Sequence, residues 1–457
     1  MHGSLSPAPA STGFGWLGIV RIGLVQASIG ALVMLATTVL NRLMVVEFAL
    51  AAAIPAGLVA WHYAVQLARP LFGHGSDKGR ARTPWIIGGV ALLGAASLLA
   101  TQATLLLASA PVLGFSLAVL AYTLIGVGVG AGGTSALALL ASGVAPQRRA
   151  AAAAVTWIMM VAGIVVSAIT VGALLKPFSP DRLLLVAAGL AVVTFALTVL
   201  ATWRLERQAG QFGNAAKDDA APDFRAAISE IWHEPAARRF TIFIFVSMIA
   251  FSMQDLILEP FAGLIFGMTP GESTQLGGQH QGGILLGMII VGVGGSAFTG
   301  KRPDGLRIWV VSGCLMSGVA LAALGLAAVA GPGWPLALNV FLLGLGNGVF
   351  AVSSIGAMMG LAGAGATTRE GVRMGVWGAS QAIAFGLGGL TGAVGVDLAR
   401  RAMSDDGSAF QLIFSLEAAA FVLAAILAIK ATGGAAVRAS MAAGEQPTTD
   451  SEREVFA

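Results

Sequence analysis

The chain has 457 residues, of which 56% are hydrophobic and only 11% charged, with 26 Lys and Arg against 22 Asp and Glu. With a mean hydropathy of +0.84, this composition excludes a water-soluble domain, and the small net charge of +4 gives no reason to expect a nucleic-acid partner. A lone cysteine, Cys314, excludes an intrachain disulfide.

In chain order, apolar runs bounded by charge or by Gly and Pro predict twelve membrane-spanning helices. They fall at 22–40, 50–68, 84–108, 112–141, 151–175, 182–203, 239–259, 281–299, 307–330, 335–361, 373–396 and 409–430, each near the ~20 residues that cross a bilayer. The fourth is long enough to tilt or protrude. Its glycines, Gly126, Gly128, Gly130, Gly132 and Gly133, form a ridge expected to be a packing surface, because membrane helices approach closely through small residues. A transmembrane barrel would show short alternating strands instead. No signal peptide is expected ahead of the first span.

Sorted by alternate sides of these spans, 21 of the 26 Lys and Arg fall on one side and 5 on the other. This split predicts both termini and the long central loop in the cytoplasm. The chain then divides into a tail (1–20), a six-helix bundle (21–203), a linker (204–238), a second six-helix bundle (239–431) and a second tail (432–457). The first part of the linker, RQAGQFGNAAKDDAAPD, reads as flexible. In its second part Phe224, Ile228, Ile231 and Trp232 recur at helical spacing after Asp223, as in an amphipathic helix lying on the membrane.

Two sets of six spans around a linker predict an all-α polytopic membrane protein with two pseudo-symmetric six-helix bundles, the arrangement of major facilitator transporters. The loop GHGSDKGRAR after span two resembles the signature loop of that superfamily. Gly73, Asp77, Lys78, Arg80 and Arg82 match it, while Gly79 falls one place early. The resemblance implies a latch on one conformation; a turn whose positive charges only set orientation is the plainer alternative.

The stretch MIAFSMQDLILEPF places Gln254, Asp255 and Glu259 at the end of the seventh apolar run, just before Pro260. Four residues apart, the two acids would share one face of a helix. Membrane-embedded acids are functional hypotheses by default, and a wet, structural place at the interface is the alternative. Arg42 and Glu47 flank the first periplasmic turn. A bridge from Arg42 to Glu259 or Asp255, closing the two halves, is one hypothesis; exposed pairing within the turn, worth little, is the other.

Within the spans the polar candidates are His62 and Gln66 in WHYAVQLAR, His280 opening the eighth span in GGQHQGG, and Gln26, Asn347 and Gln381. Hydrogen bonds between helices commonly explain such residues; contact with a bound molecule is the functional reading. Span four carries no arginine, and spans eight and ten carry no charge, so a proton relay of linked acids is not expected. No metal-spaced His/Cys cluster, nucleotide-binding glycine loop or nucleophile with a positioned base supports an enzyme.

Three stretches covering both halves carry a narrower resemblance: LNRLMVVEFALAAAIPAGL with ARPLFGHGSDKGRARTPW, FRAAISEIWHEPAARRF with SMQDLILEPFAGLIFGMTPGEST, and FLLGLGNGVFAVSSIGAMMGLA with REGVRMGVWGASQAIAFGLGGLTG. Together they resemble the PucC/LhaA-type bacteriochlorophyll delivery family, and most of all its branch labelled as a bacteriochlorophyll synthase chain. The resemblance implies assembly of light-harvesting or reaction-centre complexes by binding or delivering (bacterio)chlorophyll in a bacterial inner or intracytoplasmic photosynthetic membrane. The implied partners are the lipid bilayer, the pigment as cargo in place of any covalent cofactor, and antenna polypeptides or pigment-synthesis enzymes. A Gly/Ala-lined groove suits a large flat macrocycle, and its magnesium can take a neutral imidazole, for which His62 and His280 are the candidates. A generic facilitator exporting a small apolar molecule is the alternative.

Overall fold

In hydrocarbon every backbone N–H and C=O must be satisfied within the protein. All regular structure among the residues described by the computed structural model (14–69, 72, 81–144, 149–206, 232–233, 235–298, 305–362 and 370–431) is helical. Helix α1 (Trp16–Met34) continues through π turns at Leu35–Leu40 and Leu43–Glu47. The helices after it are α2 (Ala53–Val65) with a 3-10 turn (Gln66–Ala68), α3 (Thr83–Leu106), α4 (Pro111–Gly143), α5 (Arg149–Leu174) and α6 (Pro180–Thr202). Then follow α7 (Pro235–Met253), a 3-10 turn (Gln254–Leu256), α8 (Leu258–Phe266), α9 (Pro270–Phe298), α10 (Gly305–Ala330), α11 (Leu336–Ala362), α12 (Glu370–Ala402) and α13 (Asp406–Ala431).

Ten helical segments among the described residues are long and apolar enough to cross a membrane. Two of the twelve expected spans, the second and the eighth, are not among these ten. The second is a 13-residue α-helix with a 3-10 turn. The eighth, α9, runs 29 residues and starts eleven residues before the expected position, through the polar segment GESTQ. The reason is local: Thr269, Pro270 and Glu272 form a capping box. The Glu272 carboxylate accepts from the Thr269 N–H at 3.0 Å and hydroxyl at 2.9 Å, and the Glu272 N–H points back at the Thr269 hydroxyl at 3.4 Å. Ser179 starts α6 in the same way, its hydroxyl accepting from the Arg182 N–H at 3.2 Å. Asp405 does so for α13, and the Ser408 N–H and hydroxyl hold its carboxyl below the usual carboxylate range.

The chain forms two units, Met1–Leu43 with Trp61–Asp219 and Met44–Ala60 with Ala220–Ala457. In the first, α3 packs on α4 and α6, and α1 packs on α5 and α6. The second repeats the pattern with its corresponding helices: α10 packs on α11 and α13, and α7 packs on α12 and α13. The glycine ridge of α4 is a packing surface. A Cβ at Gly128 would fall 2.9 Å from the Gly89 carbonyl oxygen of α3, and one at Gly126 would fall 2.7 Å from the His62 carbonyl oxygen of α2.

The start of α3 is capped from outside its own helix. Glu206, just past α6, accepts from the Arg82 N–H at 2.6 Å and from the Thr83 N–H and hydroxyl at 3.0 and 2.7 Å. The Arg82 side chain donates to the Ala138 carbonyl at 2.8 Å and to the Ser142 hydroxyl at 2.6 Å, both on α4. Arg82 thus ties helix ends together within one unit. Glu206→Ala is expected to destabilise this unit by about 1–2 kcal/mol, the worth of a charged N-cap, and to lower the thermal unfolding midpoint in detergent. Glu206→Gln, which keeps one acceptor, should fall between that variant and the wild type. Gly73, Asp77, Lys78 and Arg80 of the signature-like loop lie outside the described residues, as do residues 207–231, which hold the expected flexible part of the linker and Phe224, Ile228 and Ile231 of the expected amphipathic helix.

Candidate functional site

The seventh span is broken where its acids lie. Pro260 has no N–H to donate to the carbonyl four residues back, and its ring crowds that carbonyl. The α7 ladder therefore stops at Met253, a 3-10 turn carries Gln254–Leu256, and α8 restarts at Leu258 with Pro260 in its first turn. The expectation that Asp255 and Glu259 share one helical face is overturned. No continuous helix joins them, and Asp255 is exposed while Glu259 is buried. Gln254 is buried too, its side-chain amide donating to the Phe251 carbonyl at 3.0 Å. Mid-span 3-10 geometry of this kind often marks a functional hinge.

His280 sits well inside α9, not at the opening of a span. Its carbonyl oxygen would meet a Cβ at Gly344 at 2.0 Å, so the backbones of α9 and α11 touch there. In the resulting buried junction the Ser317 hydroxyl of α10 donates to Asn347 Oδ1 at 2.8 Å, and Asn347 Nδ2 lies 3.3 Å from His280 Nε2. With the amide donating, Nε2 accepts and the ring carries its proton on Nδ1. The three side chains lock three helices together, as the plainer reading of such residues predicts. Asn339 of α11 adds a second tie, donating to the Ala320 carbonyl at 2.9 Å. Gln381 lies on α12 by its backbone.

In the first unit His62 is buried on α2 with its ring against Tyr63, centroids 4.2 Å apart. Gln66, one turn on, is buried and accepts from the Arg69 guanidinium. Arg42 lies within the extended first helix, fully buried between the two π turns, and does not flank a turn; Glu47 ends that helix and is exposed. The Tyr122 hydroxyl of α4 donates to the Ala36 carbonyl, inside the first π turn, at 2.9 Å. π turns are rare and frequent at functional sites.

Two acids escaped the reading of the sequence. Asp397 of α12 accepts from the Ala52 and Ala53 N–H groups at 2.9 and 2.7 Å and so caps the start of α2. Glu417 lies mid-helix on α13 with no exposed surface. The signal for Glu417 was present, a lone carboxylate in the otherwise apolar run QLIFSLEAAAF.

The family model described as PUCC protein matches residues 39–435. A Rhodobacter capsulatus protein named bacteriochlorophyll synthase 44.5 kDa chain is 49% identical over 433 residues, covering 94% of this chain and 99% of that protein. Protein PucC of Rhodobacter capsulatus is 29% identical over 392 residues, 81% of each chain. A solved peptide transporter POT in complex with alafosfalin superposes with a TM-score of 0.65 at 14% identity, covering 92% of this chain and 96% of that one, which establishes a shared major facilitator fold. With a family match over residues 39–435 and a relative at 49% identity over nearly its whole length, the chain belongs to the PUCC protein family.

Proposed function

We propose that this protein serves the assembly of light-harvesting or reaction-centre complexes by binding or delivering (bacterio)chlorophyll within the photosynthetic inner membrane, with both termini in the cytoplasm. The observation that carries this reading is the near full-length likeness to a relative named for bacteriochlorophyll. Antenna polypeptides or pigment-synthesis enzymes are the partners such a role needs. The word "synthase" belongs to that relative's name; the role proposed for this chain is that of a carrier, not an enzyme.

Of the two histidines in spans, His62 of α2 is taken as the candidate for the pigment's magnesium. Gln66, in the 3-10 turn that follows α2, is proposed to help orient a macrocycle. The test is an absorption spectrum of the tagged protein purified in mild detergent from a host that makes bacteriochlorophyll, beside a membrane protein of similar size. Near-stoichiometric pigment, lost in His62→Ala while the protein remains folded, is the expected outcome. A colourless preparation without pigment-related partners would sink the reading. The likeness of fold to a peptide transporter then favours the second reading, a facilitator for a small apolar molecule, to be tested by flux assays.

A further inference from the structure

Arg21 and Arg204 stand immediately outside the expected first and sixth spans, 22–40 and 182–203, where a chain leaves the apolar layer of a bilayer. The fold brings them together. With Leu200 and Trp203 they line an open cavity of about 560 Å³ at the end of α6, the helix on which α1 packs. Arg21, Leu200, Trp203 and Arg204 all belong to the first unit.

The last carbonyls of α6 have no helical N–H to bond. Arg21 supplies donors instead: its Nε donates to the Ala201 carbonyl at 2.8 Å and its Nη2 to the Trp203 carbonyl. A guanidinium has five N–H groups, and Nη1 of Arg21 has no partner among the described residues. Past Trp203 the backbone turns through a left-handed Arg204, φ 55°. The Arg204 side chain is exposed, with no hydrogen-bond or ion-pair partner among the described residues. The next acid along the chain, Glu206, is engaged by the Arg82 and Thr83 donors at the start of α3. A helix C-terminus carries about half a negative charge, which Arg21 offsets, so Arg204 leaves the cavity positive.

The approach to the cavity along α6 is apolar. Val193, Ala196 and Leu200 follow one another at the three- and four-residue spacing of one helix face, lead to Trp203 just past the helix end, and are exposed, as Trp203 is. Leu17, one turn before Arg21 on α1, is exposed as well. Apolar side chains left uncovered on a span meet lipid tails, and a tryptophan at its end sits at headgroup level.

We propose that this cavity binds an anionic phospholipid. The Arg21 and Arg204 guanidiniums, whose forked N–H groups match phosphate oxygens, hold the headgroup, and the acyl chains lie along Val193, Ala196 and Leu200. Trp203 stands between the two. Such a lipid bridges the start of α1 and the end of α6 and stabilises the folded unit as any ligand of the native state does, whatever the cargo is.

The test is native mass spectrometry of the full-length protein in detergent, made in a host without bacteriochlorophyll and titrated with dioleoyl phosphatidylglycerol or with dioleoyl phosphatidylcholine, whose choline cancels the phosphate charge. A basic side chain at a membrane surface is worth about fivefold in affinity for an anionic lipid, so two arginines predict a preference for the first phosphatidylglycerol of roughly 25-fold. In Arg204→Gln the preference should fall to about fivefold. Lys430→Gln, which removes an exposed cation at the end of α13 in the other unit, should leave it unchanged. Arg21→Gln also uncaps α6; should it fail to fold, Arg204→Gln, which breaks no bond among the described residues, decides alone. Equal binding of the two lipids, an unchanged preference in Arg204→Gln, or an equal loss in Lys430→Gln overturns the proposal. Displacement of the bound phosphatidylglycerol by inorganic phosphate at the same concentration overturns it too, and assigns the arginines to a soluble phosphate. The readout needs no pigment, so it stands or falls apart from the proposed cargo.

Discussion

Gly283→Ala is expected to destabilise the protein by about 1–3 kcal/mol, the usual cost of overpacking, while Gly282→Ala, one residue away on the same helix, is tolerated. A Cβ at Gly283 would fall 2.2 Å from the Phe341 carbonyl oxygen and 2.9 Å from the Leu345 nitrogen, both backbone atoms of α11. Backbone cannot rotate aside as a flexible side chain can, so α9 and α11 would have to separate. Their separation would also open the contacts at Gly287, Gly344 and Gly348, where added Cβ atoms would stand 2.4, 2.0 and 2.1 Å from opposing carbonyl oxygens. At Gly282 nothing lies within 4 Å, and removing glycine from a helix interior there stabilises by up to about 1 kcal/mol. Thermal unfolding midpoints of the two variants in the same detergent decide the matter. Equal midpoints would mean that α9 and α11 do not meet through this face.

The second large effect is expected at Asn347. Asn347→Ala removes both arms of the junction at once and leaves the Ser317 hydroxyl and His280 Nε2 buried without this partner. An orphaned buried group costs about 1–3 kcal/mol. Hydrogen bonds between membrane helices average nearer 0.6 kcal/mol, because the unfolded chain in lipid also finds partners. With two groups orphaned and a cavity opened, we expect a loss of about 2 kcal/mol. Adding Ser317→Ala should then cost less than it does in the wild type, since the hydroxyl it removes is already unpaired. Strict additivity in this double-mutant cycle would show that the Ser317 to Asn347 bond is not formed. The same geometry predicts that His280→Ala acts on stability, in contrast to the pigment loss expected for His62→Ala.

Much of the architecture was legible in the sequence because a bilayer imposes a strong rule: about twenty apolar residues per crossing, with backbone bonds closed inside each helix. Where the reading slipped, a local signal was outweighed by hydropathy. The polar segment GESTQ looked like loop, yet the Thr269, Pro270 and Glu272 capping box makes it the first turns of α9. The helix through Arg42 looked finished at Leu40, yet it runs on through π turns to Glu47. Pro260 was recognised as an interruption, but its clash acts backwards, on residues 254–257, and this parted Asp255 from Glu259. Glu417 was passed over although a charge inside an apolar run is itself a signal.

The sequence by itself determined the class of the protein and its family, because hydropathy and the motifs around MQDLILEP are local properties of the chain. Only the tertiary structure decided which polar groups meet. That Asp397 caps α2 and that His280, Asn347 and Ser317 close one junction both depend on helices far apart in sequence. Their approach is set by backbone contacts at glycines such as Gly283 and Gly344, and a glycine shows where a helix can be approached closely, but not by which partner.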